Sequence, residues 1–147
     1  MSEHKIAVEW KRTSADFNYD SYNRAHQVDF LNGVRLPASA AAAFKGDPDR
    51  VDPEQALLAA LSSCHMLTFL AIASKKGYIV DEYRDDAVCW LEKDADGRLA
   101  VTRAELSPRV RFGGAKTPGP EELSGLHRSA HEHCFVANSV KTRVSVR

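Results

Sequence analysis

With 147 residues the chain is sized for one domain and a real hydrophobic core, and its 20 basic and 20 acidic side chains cancel. That balance excludes the electrostatic footprint of a binder of nucleic acid or anionic lipid. A hydrophobic share of 44% against 27% charged residues excludes a disordered chain and fits a soluble globular one. The opening "MSEHKIAVEWKR" has no apolar h-region, which argues against a signal peptide. The 3 cysteines, Cys64, Cys89 and Cys134, form neither a C-x-x-C pair nor a disulfide framework. Such a set reads as cytoplasmic, where a disulfide is usually transient and catalytic.

In chain order, Ile6, Val8 and Trp10 alternate as on a half-buried strand. "QVDFLNGVRL" sets Asn32-Gly33 between two short apolar runs, a hairpin signal. "PASAAAAF" and "KGDPDRVD" form an irregular connection in which the alanines suit a helical turn or a loop equally. A long central helix then starts: Asp52 caps it, Pro53 takes the first helical position and Gln55 completes a capping box. It ends near Lys75-Lys76-Gly77, with cations in the last turn and glycine just beyond. Its stretch "ALLAALSSCHMLTFLAIA" is at the lower edge of membrane-span length. Five alanines together with Ser62, Ser63, His65 and Thr68 make it only weakly hydrophobic, so a core helix buried nearly all round is predicted.

"DDAVCWLEKDADGRLAVTRAELSPRVRF" reads as two strands joined by the turn Asp94-Ala95-Asp96-Gly97. The charged run at Asp81, Glu82, Arg84, Asp85 and Asp86 before it reads as exposed strand entry and turn. "GGAKTPGP" breaks the chain, and "EELSGLHRSAHEHC" predicts a second helix with Leu123, Leu126, Ala130 and Cys134 along one face. "CFVANSV" predicts a further helical turn and "KTRVSVR" a last strand. With no repeat and no linker, residues 1–147 form a single α+β domain, helices set against mainly antiparallel sheet.

Cys64 is the leading candidate for chemistry. A buried cysteine is commonly a small hydrophobe, yet Ser62, Ser63 and His65 beside it each need a hydrogen-bond partner and point to a polar niche. Cys64 lies too deep in its helix for the N-terminal dipole to stabilise a thiolate, and His65 points about 100° away, so a cation from elsewhere is required, best an arginine. Cys134 is the natural second thiol, although it also continues an apolar stripe; Cys89, alternating along a strand, reads as packing. His127, His131 and Cys134 at helical spacing, with His65 as a fourth group, form a rival metal-ligand set, which competes with a solvated helix face. Glu54 in the first helical turn is explained by the dipole alone.

"DPEQALLAALSSCHMLTFLA" followed about seventy residues later by "AHEHCFVANSV" resembles the OsmC/Ohr family, from about Tyr22 in "YNRAH" to the C-terminal "VKTRVSV". The resemblance implies an intertwined homodimer with a long central helix and sites at the subunit interface. It also implies a cofactor-free thiol peroxidase acting on organic hydroperoxides and reset by an external dithiol, for example a lipoyl-bearing protein. Cys64 matches the peroxide-attacking cysteine, Cys134 the resolving cysteine, and Glu54 the glutamate that holds a catalytic arginine. The "YNRAH" segment makes Arg24 that arginine, with Arg12 and Arg50 as alternatives. Phe135 stands where the family often has proline.

In that reading the Cys64 thiolate, stabilised by Arg24, attacks the peroxide, and the resulting sulfenic acid condenses with Cys134. An apolar pocket of Met66, Leu67, Phe69 or Phe135 is expected to favour alkyl peroxides. Ten helical residues separate Glu54 from Cys64 by about 15 Å along the axis and about 80° around it, so Glu54 is expected to act from the partner subunit. The alternative function is a non-catalytic protein holding a small apolar ligand, or a metal through His127, His131 and Cys134.

Overall fold

The capping signature works as the sequence implies. In the computed structural model, which describes residues Met1–Arg147, the Gln55 N–H donates to Asp52 Oδ1 at 2.7 Å and the Asp52 N–H to Gln55 Oε1 at 3.2 Å. Helix α1 runs from Pro53 to Lys75. It stops at Gly77, whose φ of 76° is the left-handed cap, while the Tyr78 N–H reaches back to the Ala73 carbonyl at 3.0 Å.

The chain divides into two units, Met1–Ala56 and Leu57–Arg147. The first holds an antiparallel sheet of β1 (Ala7–Glu9), β2 (His26–Asp29) and β3 (Arg35–Ala38) in the order β1-β2-β3. The β2–β3 hairpin turns at Gly33, with φ 90°, as Asn32-Gly33 predicts. The alanine run makes one short 3-10 turn, Ala42–Phe44. Gly46 follows it where a Cβ would fall 1.6 Å from the Ala40 carbonyl oxygen, a close approach of backbone that only glycine permits.

The second unit carries most of α1 and continues as β4 (Ile79–Asp85), β5 (Val88–Lys93), β6 (Leu99–Leu106) and β7 (Pro108–Gly113), then α2 (Pro120–Glu132) and β8 (Arg143–Val146). β4 pairs antiparallel with β7, while β5, β6 and β8 form a second sheet in which β8 runs parallel to β6. Two sequence expectations change here. The charged run at 81–86 belongs largely to strand β4, in which Asp81, Glu82 and Arg84 are exposed and Tyr83 and Asp85 are half-buried. "PRVRF" is the separate strand β7, turned onto β4 after Pro108.

The core gathers Phe69 and Ala73 of α1 with Tyr78 and with Leu126 and Ala130 of α2, over Val80, Tyr83, Val110 and Phe112 of the β4–β7 sheet. Burying a phenylalanine contributes about 2–3 kcal/mol by its removal from water, and Phe69 is fully buried. The expected all-round burial of α1 is not what the chain does. Only Leu61, His65, Phe69 and Ala73 are buried, one residue per turn, and Leu67 is 60% exposed. An apolar segment of α1 with mean hydropathy 1.9 has only 22% of its residues buried. By length and composition this helix alone is long and apolar enough to cross a membrane; here its buried stripe is packed within the fold.

One polar residue sits in that stripe. His65 is 1% exposed, and its Nε2 is 3.1 Å from Nδ1 of His127, the two rings stacked at an interplanar angle of 8°. Burial, reinforced by His127 and His131 nearby, pushes the His65 pKa down to about 4, with Asp85 opposing. The folded state therefore holds a neutral ring, whereas the unfolded chain takes up a proton near pH 6.5. Stability should be full above about pH 6.5 and fall progressively as pH drops towards about 4, by up to about 3 kcal/mol from this residue. Urea unfolding at pH 7 and pH 4.5 measures the slope; an equal slope in His65→Leu would show that another group carries it.

Candidate functional site

Because α1 turns 100° per residue, the four polar positions at its centre face three surroundings. Ser62 donates to Asp85 Oδ2 at 2.5 Å, and Asp85 Oδ1 accepts the Ser107 N–H at 2.7 Å. His65 points into the core. Ser63 and Cys64 line a cavity of about 780 Å³ whose apolar wall includes Leu67, Ile72, Phe135 and Val136. Leu67 and Phe135 line it as expected, while Met66 is not part of its wall and Phe69 is buried in the core instead. Phe135 is 80% exposed beside a reactive-type thiol, an unusual position for a large apolar side chain.

Helix α2 ends at Glu132, so Cys134 lies just past the helix rather than at its end. Its N–H donates to the His131 carbonyl at 3.2 Å, and the chain then bends into a 3-10 turn, Ala137–Ser139. Amides at such a turn lack an intrahelical partner. Here they point at sulfur: the Ala137 N–H donates to Cys134 Sγ at 3.4 Å, and the Phe135 and Val136 N–H groups donate to the Cys64 sulfur. The Cys134 thiol donates to Cys64 as well.

These contacts set the two sulfurs apart. Burial raises the Cys64 pKa, but it is outweighed by the Val136 amide, the Cys134 thiol, the Phe135 amide and the Thr68 hydroxyl, leaving it below the ordinary thiol value. Cys134 moves the opposite way, raised by burial and by its role as donor to Cys64. Of the two, Cys64 is therefore the sulfur that loses its proton more readily and Cys134 the one that keeps it. Both cysteines are free in this structure. Thr68 Oγ1 donates to the Cys64 carbonyl at 2.8 Å, and the same hydroxyl lies within reach of the sulfur.

No arginine is among the groups that lower Cys64. Arg24 donates to the carbonyls of Tyr22 at 2.5 Å and of Tyr19, and its guanidinium lies 3.7 Å from the Tyr22 ring centroid. Arg12 donates to the Ser14 and Ala15 carbonyls, and Arg50 pairs with Asp47 at 3.3 Å. Glu54 occupies the first turn of α1, where the sequence puts it. The groups missed by the sequence reading are Thr68 and the amides of Phe135 and Val136. Thr68, one turn beyond Cys64 on the same face, was legible from helical spacing; the amides belong to backbone and carry no side-chain signal. Proline at position 135 would have removed one of those donors, and phenylalanine keeps it.

The rival metal set does not assemble. Cys134 bonds Cys64 while His127 bonds His65, and no group of three His, Cys, Asp or Glu side chains gathers to hold a metal ion. Cys89 lies opposite Ala104 on the β5–β6 ladder.

No curated protein matches the chain at the sequence level. Among solved structures, an OsmC-like protein of unknown function from Vibrio cholerae is 45% identical, covers 100% of this chain and 99% of its own, and superposes with a TM-score of 0.96. An organic hydroperoxide resistance protein from Elizabethkingia anophelis shares the fold at 16% identity and TM-score 0.70, with 99% of this chain and 94% of that one covered. The organic hydroperoxide resistance protein OhrB of Bacillus subtilis does so at 16% identity and TM-score 0.62, with 99% and 98% covered. The family model for OsmC-like proteins matches residues 46–147, a span that contains α1, both sulfurs and the turn that feeds them amides. With that match and near-half identity along its whole length to an OsmC-like structure, the chain belongs to the OsmC-like protein family.

Proposed function

We propose that the protein is a thiol-dependent peroxidase that reduces organic hydroperoxides to alcohols. The observation that carries this reading is the asymmetric sulfur pair: a Cys64 thiol shifted towards the thiolate by several donors, a Cys134 thiol shifted the other way and in hydrogen-bond contact with it, and an apolar cavity lined by Cys64. The thiolate attacks the terminal oxygen of ROOH, breaking the O–O bond and leaving Cys64 as the sulfenic acid. The departing alkoxide takes a proton, and the Cys134 thiol is the nearest donor. The Cys134 thiolate then attacks the sulfenic sulfur, expelling hydroxide and closing a Cys64–Cys134 disulfide. An external dithiol, for example of the lipoyl type, returns both sulfurs to thiols and is itself oxidised to a disulfide.

In this reading Arg24 and Glu54 complete the site, Arg24 adding charge to the thiolate and Glu54 orienting it by a charge-assisted pair. About 15 Å of helix separates Glu54 from Cys64, so Glu54 serves the cysteine of a second copy in a homodimer. The uncovered apolar face of α1 supports that assembly, since a single chain leaves it in water. Residues 1–147 then act as one OsmC-like domain in the cytoplasm. A purely ligand-binding role for the cavity is the outcome if the cysteines prove inert.

Turnover of tert-butyl hydroperoxide with a dithiol tests the chemistry. Cys64→Ser should lose at least about a thousandfold in rate, as for removal of a nucleophile. Cys134→Ser should still consume one peroxide per site but stall before turnover; wild-type rates in Cys64→Ser would overturn the mechanism. The amide donors have their own test. Phe135→Pro should raise the Cys64 pKa and slow the peroxide step by about tenfold, while Phe135→Ala, which keeps the N–H, should leave the pKa in place. Thiolate absorbance against pH reads both variants. For the assembly, wild type should elute from size exclusion as a dimer and Leu67→Asp as a monomer.

A further inference from the structure

A second cavity, of about 510 Å³, lies against α2 and has no part in the thiol chemistry. Leu123 and Val146 supply apolar wall, and Arg128, Arg147, His127 and His131 supply polar groups. No acidic side chain lines it. Arg147 is tied to Glu105 at 2.8 Å, whereas Arg128 is exposed and in no ion pair, so its charge is available to a ligand. His131 Nδ1 is buried without a hydrogen-bond partner.

The orientation of His127 is set from inside the fold. Its ring stacks on Phe69 at 4.4 Å between centroids, and its Nδ1 meets His65 Nε2 at 3.1 Å. His65 Nδ1 is buried with no partner. An unpaired buried N–H is rarer and costlier than an unpaired acceptor, so the tautomer inferred for His65 leaves Nδ1 bare and carries its proton on Nε2. His65 then donates to His127 Nδ1, and the remaining proton of His127 sits on Nε2. The imidazole on the cavity wall is thereby held as a hydrogen-bond donor by its buried partner.

We propose that this cavity is a second ligand site for a small organic carboxylate with a short hydrocarbon body. The carboxylate lies on Arg128 and the His127 Nε2–H, and the hydrocarbon lies against Leu123 and Val146. The volume is in the range of small-molecule sites, with mostly apolar lining and a few polar groups that fix orientation. The thiol cavity is lined by Ser129 of α2 and by His133 just past its end, neither of which lines the second cavity, so occupancy of one site does not need the other.

Calorimetric titration of the full chain with hexanoate tests the site. Hexanoate should saturate one site per chain. Methyl hexanoate, which lacks the charge, and inorganic phosphate, which lacks the hydrocarbon, should each bind at least about tenfold more weakly. Arg128→Gln, an exposed change, should weaken hexanoate by about tenfold or more, and saturation should shift the His127 Nε2 proton resonance. Cys64→Ser should bind as wild type does, so loss of peroxidase chemistry and loss of this site are told apart. Absence of saturation up to about 5 mM, equal affinity in Arg128→Gln, or ester or phosphate binding as tightly as hexanoate would each overturn the proposal.

Discussion

The rotational setting of α1 is what the rest of the second unit depends on. Leu61, His65, Phe69 and Ala73 recur once per turn and all are buried, which leaves the helix one way to face α2 and the β4–β7 sheet. With that face pinned, 100° per residue carries Ser62 to Asp85 and Cys64 to the cavity. A helix free to roll by one residue would exchange the thiol for the imidazole. The polar centre of an otherwise apolar helix therefore meets three separate surroundings through one packing decision.

The thiolate is stabilised by dipoles of the backbone rather than by a fixed charge within residues 57–147. The amides that open the 3-10 turn after α2 have no carbonyl one turn back and must find another acceptor, and here the acceptors are sulfurs. That arrangement couples the end of α2 to the chemistry of α1, because the residues that close the helix also deliver Cys134 and its neighbouring N–H groups. It divides the pair by acidity: the sulfur that receives several donors is the more acidic, and the sulfur that donates is the less acidic. An arginine would add to this gradient rather than create it.

The histidines follow the same logic in the other direction. His65 lies in the core, neutral, and spends its one N–H on His127, which meets the second cavity. Buried polar groups are tolerated where they are paired and costly where they are not. The unpaired Nδ1 atoms of His65 on α1 and His131 on α2 are such costs.

The helix caps, the Asn32-Gly33 turn, the two helices, the α+β class and the candidate cysteine pair were legible in the sequence, because each is written in local side-chain chemistry. Thr68 was within reach of the same spacing argument. The strand at 79–85 was obscured by alternating charges that look like loop, and β7 by its continuity with β6. What only the tertiary structure decided is the pairing of groups distant in the chain: His65 with His127, Ser62 with Asp85, and Cys64 with the amides after Cys134. The physical reason is that a local pattern specifies which face of an element is apolar, whereas the partner met by each polar atom depends on how two such faces come together. Backbone donors leave no trace in residue identity, so the groups that hold the thiolate were the least visible of all.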